Sequence, residues 1–193
     1  MMCAEVIKDG VDRRYRSEVD QLLRVSEHIR ELTEDSRKFI ETLVGEAEVE
    51  AEPVSLDKVL GDEVRKSKSK YPEVTITVNG LDGDVTVMGN KMLSSVFRNL
   101  LSNAVQHNDG DPEIDIDIDS KEEEVEVKVA DNGPGIPDDK KERIFQDGEV
   151  NESEVGMGLY LVHNLVHSFD GEVHISDNQP KGTTFTVRLL APS

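Results

Sequence analysis

The sequence predicts an α+β fold, a two-layer sandwich with helices on one face of a mixed, largely antiparallel sheet, preceded by one long coiled-coil-like helix. Three observations carry this. Stretches with apolar residues at every second position recur between residues 74 and 190, and two of them face each other across a short polar turn. Segments with apolar residues at helical spacing lie between them. Ahead of both, residues 17–46 carry apolar positions in a seven-residue repeat.

In chain order, Ala4 to Lys8 reads as the end of a helix stopped by Asp9-Gly10. Leu22, Ile29, Ser36 and Leu43 then form one heptad series, and Val25, Leu32 and Phe39 a second offset by three. This is an a/d seam with one polar lapse at Ser36. No Gly or Pro interrupts it before Gly45, so residues 17–46 make a rod of about 45 Å at the helical rise. Such a seam needs a cover, either a second chain, which would make a homodimer through 17–46, or a face of its own domain. Residues 1–46 are therefore expected to form a partial helical hairpin, 47–52 an acidic linker, and 53–193 a separate domain.

Ser55 is the expected N-cap of a helix to Lys68, with Leu56, Val59, Leu60 and Val64 on one face. Val74–Val78 and Val85–Met88 read as strands. Asn90 is the expected cap of a helix through Gln106 that turns Met92, Val96, Leu100 and Ala104 inward. Glu113–Asp119 and Glu124–Ala130 form a hairpin across Ser120–Glu123. Lys140–Phe145 reads as a short helix and Gly158–Ser168 as an apolar one, with strands at Val173–Ser176 and Thr183–Leu190 closing the sheet.

The chain has 193 residues, with 41 acidic against 22 basic side chains, a formal charge of −19. That length buries a core without help from disulfides or metals. With 4% aromatic residues and no Trp, the core must be aliphatic. The charge argues against nucleic acid and anionic membrane surfaces as partners. No apolar run approaches the roughly 18–20 residues of a membrane span, and no signal-peptide core is visible. Cys3 is the sole cysteine, which makes a cytoplasmic protein the default. Disorder would explain the acidity, but the apolar patterning opposes it. An acidic partner-binding tail is opposed by the spread of the acids along the chain. A halophilic cytoplasm is the favoured reading, because the Debye length of about 3 Å near 1 M salt screens self-repulsion.

Four segments carry chemistry. Asn99, Asn103 and His107 fall at i, i+4 and i+8 of a predicted helix, nearly on one face. Asn is a poor helix former. Carboxamide oxygens suit Mg²⁺, which takes few protein ligands, and amide-to-backbone hydrogen bonds are the other reading. Asp131-Asn-Gly133-Pro-Gly135 follows a strand. Its glycines allow close backbone approach, and a strand-end Asp can accept a hydrogen bond from an exocyclic amine such as that of adenine. An ordinary turn is the alternative. Gly156-Met-Gly158-Leu159 opens an apolar helix, where free N–H groups and the helix dipole favour phosphate. Gly182-Thr183-Thr184-Phe185 enters the last strand with a hydroxyl that can support the Asp or a bridging water.

In this order and spacing the four segments resemble the catalytic, ATP-binding domain of sensor histidine kinases, within the wider family shared with gyrase, heat-shock and mismatch-repair ATPases. The matching pieces are the N box (Asn99 to His107), the G1 box (Asp131 to Gly135), the F box (Ile144-Phe145), the G2 box (Gly156 to Leu159) and the G3 box (Gly182 to Phe185). The resemblance covers about residues 53–190, and 17–46 resembles the second helix of the kinase dimerisation and phosphoacceptor domain. Gly158 to Val166 and Asp177 to Gly182 look most like haloarchaeal members.

The resemblance implies the Bergerat type of α/β sandwich, with ATP and Mg²⁺ as cofactors. Asn103 would hold Mg²⁺, and Asp131 would read the adenine amino group, partly through water. Gly133 and Gly135 would let the loop approach the base, with Thr183 assisting at that end. Gly156 and Gly158 would serve the phosphates under a mobile lid of residues 146–157, and Leu159 completes that box in the cofactor-binding set. His107 would lie near the phosphates or ribose, and Phe145 would anchor the lid. In the hydrolysing relatives a Glu that activates water stands where this chain has Asn99. An amide cannot be a general base, so Asn99 and Asn103 imply ATP held for transfer: a protein-histidine kinase of a two-component system, passing phosphate to a histidine and on to a response regulator receiver domain.

Two features depart from the family pattern. Glu154 stands where a leading glycine is common, and the lid carries Asp147, Glu149 and Glu152 as well. The family's acceptor His lies in the first bundle helix, whereas His28 sits inside the seam helix, where a solvated position is the plainer reading. The acceptor is expected upstream of Met1, in which case the chain is a fragment or a degenerate member that does not phosphorylate itself. An anti-sigma-type serine kinase and a catalytically inactive dimeric scaffold are the alternatives.

Overall fold

The computed structural model describes residues 51–81, 83–108, 110–141 and 157–192, together with Val19, Val25, Ser26 and Thr33. Those four isolated residues are helical, and Val25 is exposed. The remainder of the predicted seam, His28 included, lies outside the described residues. The chain divides into two compact units, residues 1–46 and 47–193.

The second unit opens with strand β1 (Glu52–Ser55), which pairs antiparallel with β3 (Thr86–Gly89) in a two-stranded ribbon. This corrects the expected linker, because Glu52 is already strand. Pro53 and the surrounding acids hide the element, although Pro is tolerated in a strand with a free edge. Ser55 ends β1 and caps α1 (Leu56–Lys70), its hydroxyl accepting the Lys58 N–H at 3.4 Å. Asp57 in the first turn and Lys68 and Lys70 in the last complement the helix dipole. Asp57 also accepts the Val85 N–H at 2.7 Å and the Leu56 N–H reaches the Val85 carbonyl at 2.9 Å, which pins the helix start beside β3.

Asn90 begins a turn and does not cap the helix directly. Its Oδ1 accepts the Met92 N–H at 2.8 Å, and α2 runs Leu93–Gln106. The predicted inward stripe of Met92, Val96, Leu100 and Ala104 is buried.

The main sheet has the order β2-β4-β5-β7-β6, from β2 (Thr75–Asn79), β4 (Glu113–Ser120), β5 (Glu124–Asp131), β6 (Glu172–Asp177) and β7 (Thr183–Leu190). Only β2 and β4 are parallel; β3 and α2 supply the crossover such a pair needs. Alternation sorts the two faces. Ile76, Ile114, Ile116, Val127, Val129, Phe185 and Val187 are buried on the face that meets α1, α2 and α4 (Met157–His167), each contributing roughly 1.5–3 kcal/mol. Thr75, Thr77, Asp115, Asp117 and Asp119 lie exposed on the other. The short helix α3 spans Asp138–Lys141, two residues ahead of the expected start, with Pro137 offering its carbonyl to the N–H groups of Lys140 and Lys141. Residues 142–156, with Phe145 and Gly156, lie outside the described residues. Among the described residues no helix is long and apolar enough to cross a membrane.

Candidate functional site

The period of two that buries the sheet also builds the site. Val125, Val127 and Val129 face the helices, so Asp131 at the end of β5 faces them too; Thr183 shares the parity of Phe185 and Val187 on β7. Both are buried, Asp131 at 8% exposure and Thr183 at 3%. The carboxylate accepts two backbone N–H groups through one oxygen, from Gly133 at 2.8 Å and Thr183 at 3.2 Å. Its backbone carbonyl accepts the side-chain amide of Asn178 at 2.8 Å.

Burial pushes the Asp131 carboxyl above its ordinary value, and the N–H groups of Gly133 and Thr183 and the charge of His107 oppose the rise. The hydrogen-bond donors to this carboxylate are thus neutral.

The two glycine segments meet here. Gly182 has φ +119°, and a Cβ on it would overlap the Asp131 carbonyl oxygen, so no other residue fits the approach. Gly135 lies on the opposite side of the same contact, where an added Cβ would stand 3.4 Å from the Gly182 carbonyl. Asp131, Gly133, Gly135, Gly182 and Thr183, scattered over more than 50 residues, are therefore one cluster. His107 borders it. It is exposed at the end of α2, its N–H bonds the Asn103 carbonyl at 3.0 Å, and its own carbonyl lies 3.5 Å from where a Gly133 Cβ would be.

The amide stripe on α2 splits. Asn99 is buried and its Nδ2 donates to the Ser95 carbonyl at 2.8 Å, which is the backbone-bonding alternative. Its Oδ1 faces Gly158, 2.7 Å from the position a Cβ there would take. Asn103, one turn further on, is half-buried. Gly158 and Leu159 are buried at the start of α4.

Three supporting residues escaped the sequence reading. Asn132 accepts the Glu113 N–H at 3.0 Å and the Asn108 amide, and donates to the Asp111 carbonyl at 3.1 Å. It ties the loop after α2 to the end of β5, and its place beside Asp131 was the only clue. Asn178 holds the Asp131 carbonyl, as above. Lys141, 15% exposed, bridges Asp138 at 2.7 Å and Asp177 at 2.6 Å, and these carboxylates raise its pKa. It anchors α3 to the end of β6, a contact across 36 positions that no local pattern announces.

Among the described residues no group of three or more His, Cys, Asp or Glu side chains could hold a metal ion. The donor set fits Mg²⁺ nonetheless. That ion takes few protein ligands and fills its shell with water and phosphate oxygens, and Asn103 offers a half-buried amide for one position. The buried Asp131 carboxylate, with neutral donors on one oxygen, fits the exocyclic amine of a purine.

Comparison with known proteins gives the cluster a family. Residues 89–193 match the model of the histidine kinase-, DNA gyrase B- and HSP90-like ATPases. The chain is 26% identical over 207 aligned positions to the autoinducer 2 sensor kinase/phosphatase LuxQ of Vibrio parahaemolyticus, covering 96% of this chain and 24% of that protein. It thus spans about a quarter of the length of this curated relative. The fold is that of the catalytic domain of histidine kinase ThkA (TM-score 0.67, 20% identity, 74% of this chain and 98% of that one). It is also similar to part of full-length ShkA in complex with AMPPNP (TM-score 0.71, 22% identity, 99% of this chain and 42% of that one). With more than half its length inside the matched region, the chain belongs to the histidine kinase-, DNA gyrase B- and HSP90-like ATPases.

Proposed function

We propose that this chain is the Mg·ATP-binding catalytic part of a two-component sensor kinase that passes the γ-phosphate of ATP to a histidine, and from there to a response regulator receiver domain. The observation that carries the proposal is the buried Asp131 carboxylate, which among the described residues accepts only backbone N–H groups, beside two glycines. It is a preformed acceptor for the adenine amine. Thr183 supports it from β7, and Gly133 and Gly135 keep the flanking loop close to the base.

Asn103 would hold Mg²⁺ from α2, with His107 at the border of the site and Gly156, Gly158 and Leu159 on the phosphate side. Phe145 would seat the lid of residues 146–157. Bound Mg·ATP supplies the transferable phosphoryl group; the protein supplies position and electrostatics. Asn99 offers an amide where a water-activating base would stand, and its Nδ2 is engaged by Ser95. This favours transfer over hydrolysis. In this reading the phosphate passes to an acceptor His supplied by another segment, and the chain does not phosphorylate itself. The heptad repeat over 17–46 would be its route to a homodimer. The similarity to LuxQ, a sensor kinase/phosphatase, favours this reading over a serine kinase or an inactive scaffold. The charge of −19 suits a halophilic cytoplasm, where molar salt screens it.

Phosphotransfer tests the reading. Labelled phosphate from ATP should appear on a supplied dimerisation domain carrying an acceptor His, and should vanish with Asn103→Ala. Transfer that persists undiminished in Asn103→Ala, or that never occurs although Mg·ATP binds, rejects the kinase assignment.

A further inference from the structure

We infer that Asn99 is a positioning residue that sets the spacing between α2 and α4 by wedging its amide against Gly158, and that it does not itself touch nucleotide. The inference rests on the nucleotide reading above. Helices α2 and α4 pack side by side, and Asn99 and Gly158 are both buried at their contact. The amide is hydrogen-bonded at one end and faces Gly158 with the other. Nδ2 donates to the Ser95 carbonyl one turn back at 2.8 Å. On the other side, a Cβ on Gly158 would stand 2.7 Å from Oδ1, 3.5 Å from Cγ and 3.9 Å from Cβ of Asn99.

The short side chain therefore fills the gap up to the α4 backbone, and only a glycine leaves room for it. Rotating the amide aside would forfeit the Ser95 bond and strand a buried donor, which is why the wedge is stiff. Asn103 lies one turn along α2 on the same face as Asn99. Any change in the gap at Asn99 therefore tilts or shifts the helix that begins the phosphate side against the amide proposed to hold Mg²⁺. On this account the amide stripe divides its work, with Asn99 holding the distance and Asn103 meeting the ligand.

The two roles separate in a pair of single variants and their combination. Gly158→Ala adds the methyl that Oδ1 cannot accommodate. Asn99→Ala removes the wedge. In the combined variant the new methyl stands 3.9 Å from the Cβ that remains at position 99, an ordinary contact. Mg·ADP reports the phosphate side in calorimetry. Adenosine reports the Asp131 side, which is built from other segments. Gly158→Ala is expected to weaken Mg·ADP by about tenfold while adenosine changes by less than about twofold, and the combined variant to return within about threefold of the parent, because coupled contacts are not additive.

A combined variant as weak as or weaker than the worse single one would place Asn99 in contact with nucleotide and overturn the inference. So would Gly158→Ala binding Mg·ADP like the parent. Thermal melting reads the same coupling without ligand. Both single variants should melt lower and the combination should recover; simple addition of the two losses, or failure of the combination to restore folding lost in Gly158→Ala, also overturns it. A parent protein that binds neither ligand would reject the nucleotide reading, while the melting result would still decide the wedge.

Discussion

Strand β5 carries two buried carboxylates five positions apart, Glu126 and Asp131, on opposite faces of the same sheet and each 8% exposed. Their chemistry diverges. Glu126 accepts from Arg188 Nε at 2.8 Å and lies 3.0 Å from Lys128 Nζ. Those cations lower its pKa from 4.5 to about 2, Arg188 first. Asp131 has two backbone N–H donors, and burial drives its carboxyl up. The shifts are opposite because two cations hold Glu126 ionised, whereas at Asp131 the cost of burying the charge outweighs its two backbone donors. Glu126 is paired with the cations of Arg188 and Lys128, whereas Asp131 has neutral hydrogen-bond donors with the charge of His107 nearby.

The strongest way to break the contrast is at the inner end of the strand. Gly182→Ala forces a Cβ onto the Asp131 carbonyl at φ +119° and should cost about 3 kcal/mol or more, lowering the melting temperature by roughly 6–12 °C. Gly61→Ala in α1, where the added Cβ meets nothing within 4 Å, should instead raise stability by about 0.5–1 kcal/mol. Equal effects in calorimetric melts would mean that the Gly182 contact is not tight. Next in size, Asp131→Asn should weaken Mg·ATP by roughly 10- to 100-fold, the range for a hydrogen bond to a charged group. Glu126→Gln should leave affinity alone and cost about 0.5–1 kcal/mol of stability, read by denaturant titration.

Acid sharpens the same comparison. The folded pKa of Glu126 is depressed, so its stabilisation is complete above 4.5 and is lost as the pH falls through about 2. Glu126→Gln should flatten that part of the acid unfolding curve. Asp131 has the opposite sign. Its folded pKa lies above 3.8, so its ionisation opposes folding as the pH rises from 3.8 to that value. Protonation also removes an acceptor, so nucleotide affinity should decline on acidification before the ordinary Asp range is reached. An affinity flat down to 3.8 would contradict the raised value. The smallest effect should come from Lys128→Gln, on an exposed side chain whose partner keeps Arg188; its melting temperature should stay within about 2 °C of the parent.

The parity that separates these carboxylates was legible in the sequence. The apolar alternation along 124–130 and 183–190 already places Asp131 and Thr183 on the inner face, and the glycines mark where loops crowd them. Pairing across the sheet was not, because alternation reports a strand's faces and says nothing of its neighbours; the parallel union of β2 with β4 emerges only in three dimensions. β1 was lost because acids and a proline made it look like a linker. The two readings of Asn99 could not be separated from residue type alone, since the deciding bond, from its Nδ2 to the Ser95 carbonyl, is seen only in the folded helix. The Lys141–Asp177 bridge was invisible because its partners are distant in sequence.

The central claim is that Asp131 is the acceptor of a nucleotide base. Calorimetric titration of Mg·ATP into the parent protein and Asp131→Asn, in molar KCl, tests it most directly. Saturable binding by the parent is expected, at least tenfold weaker in Asp131→Asn, with melting temperatures that show both proteins folded. Equal affinities in the two, or no binding by a folded parent, would contradict it.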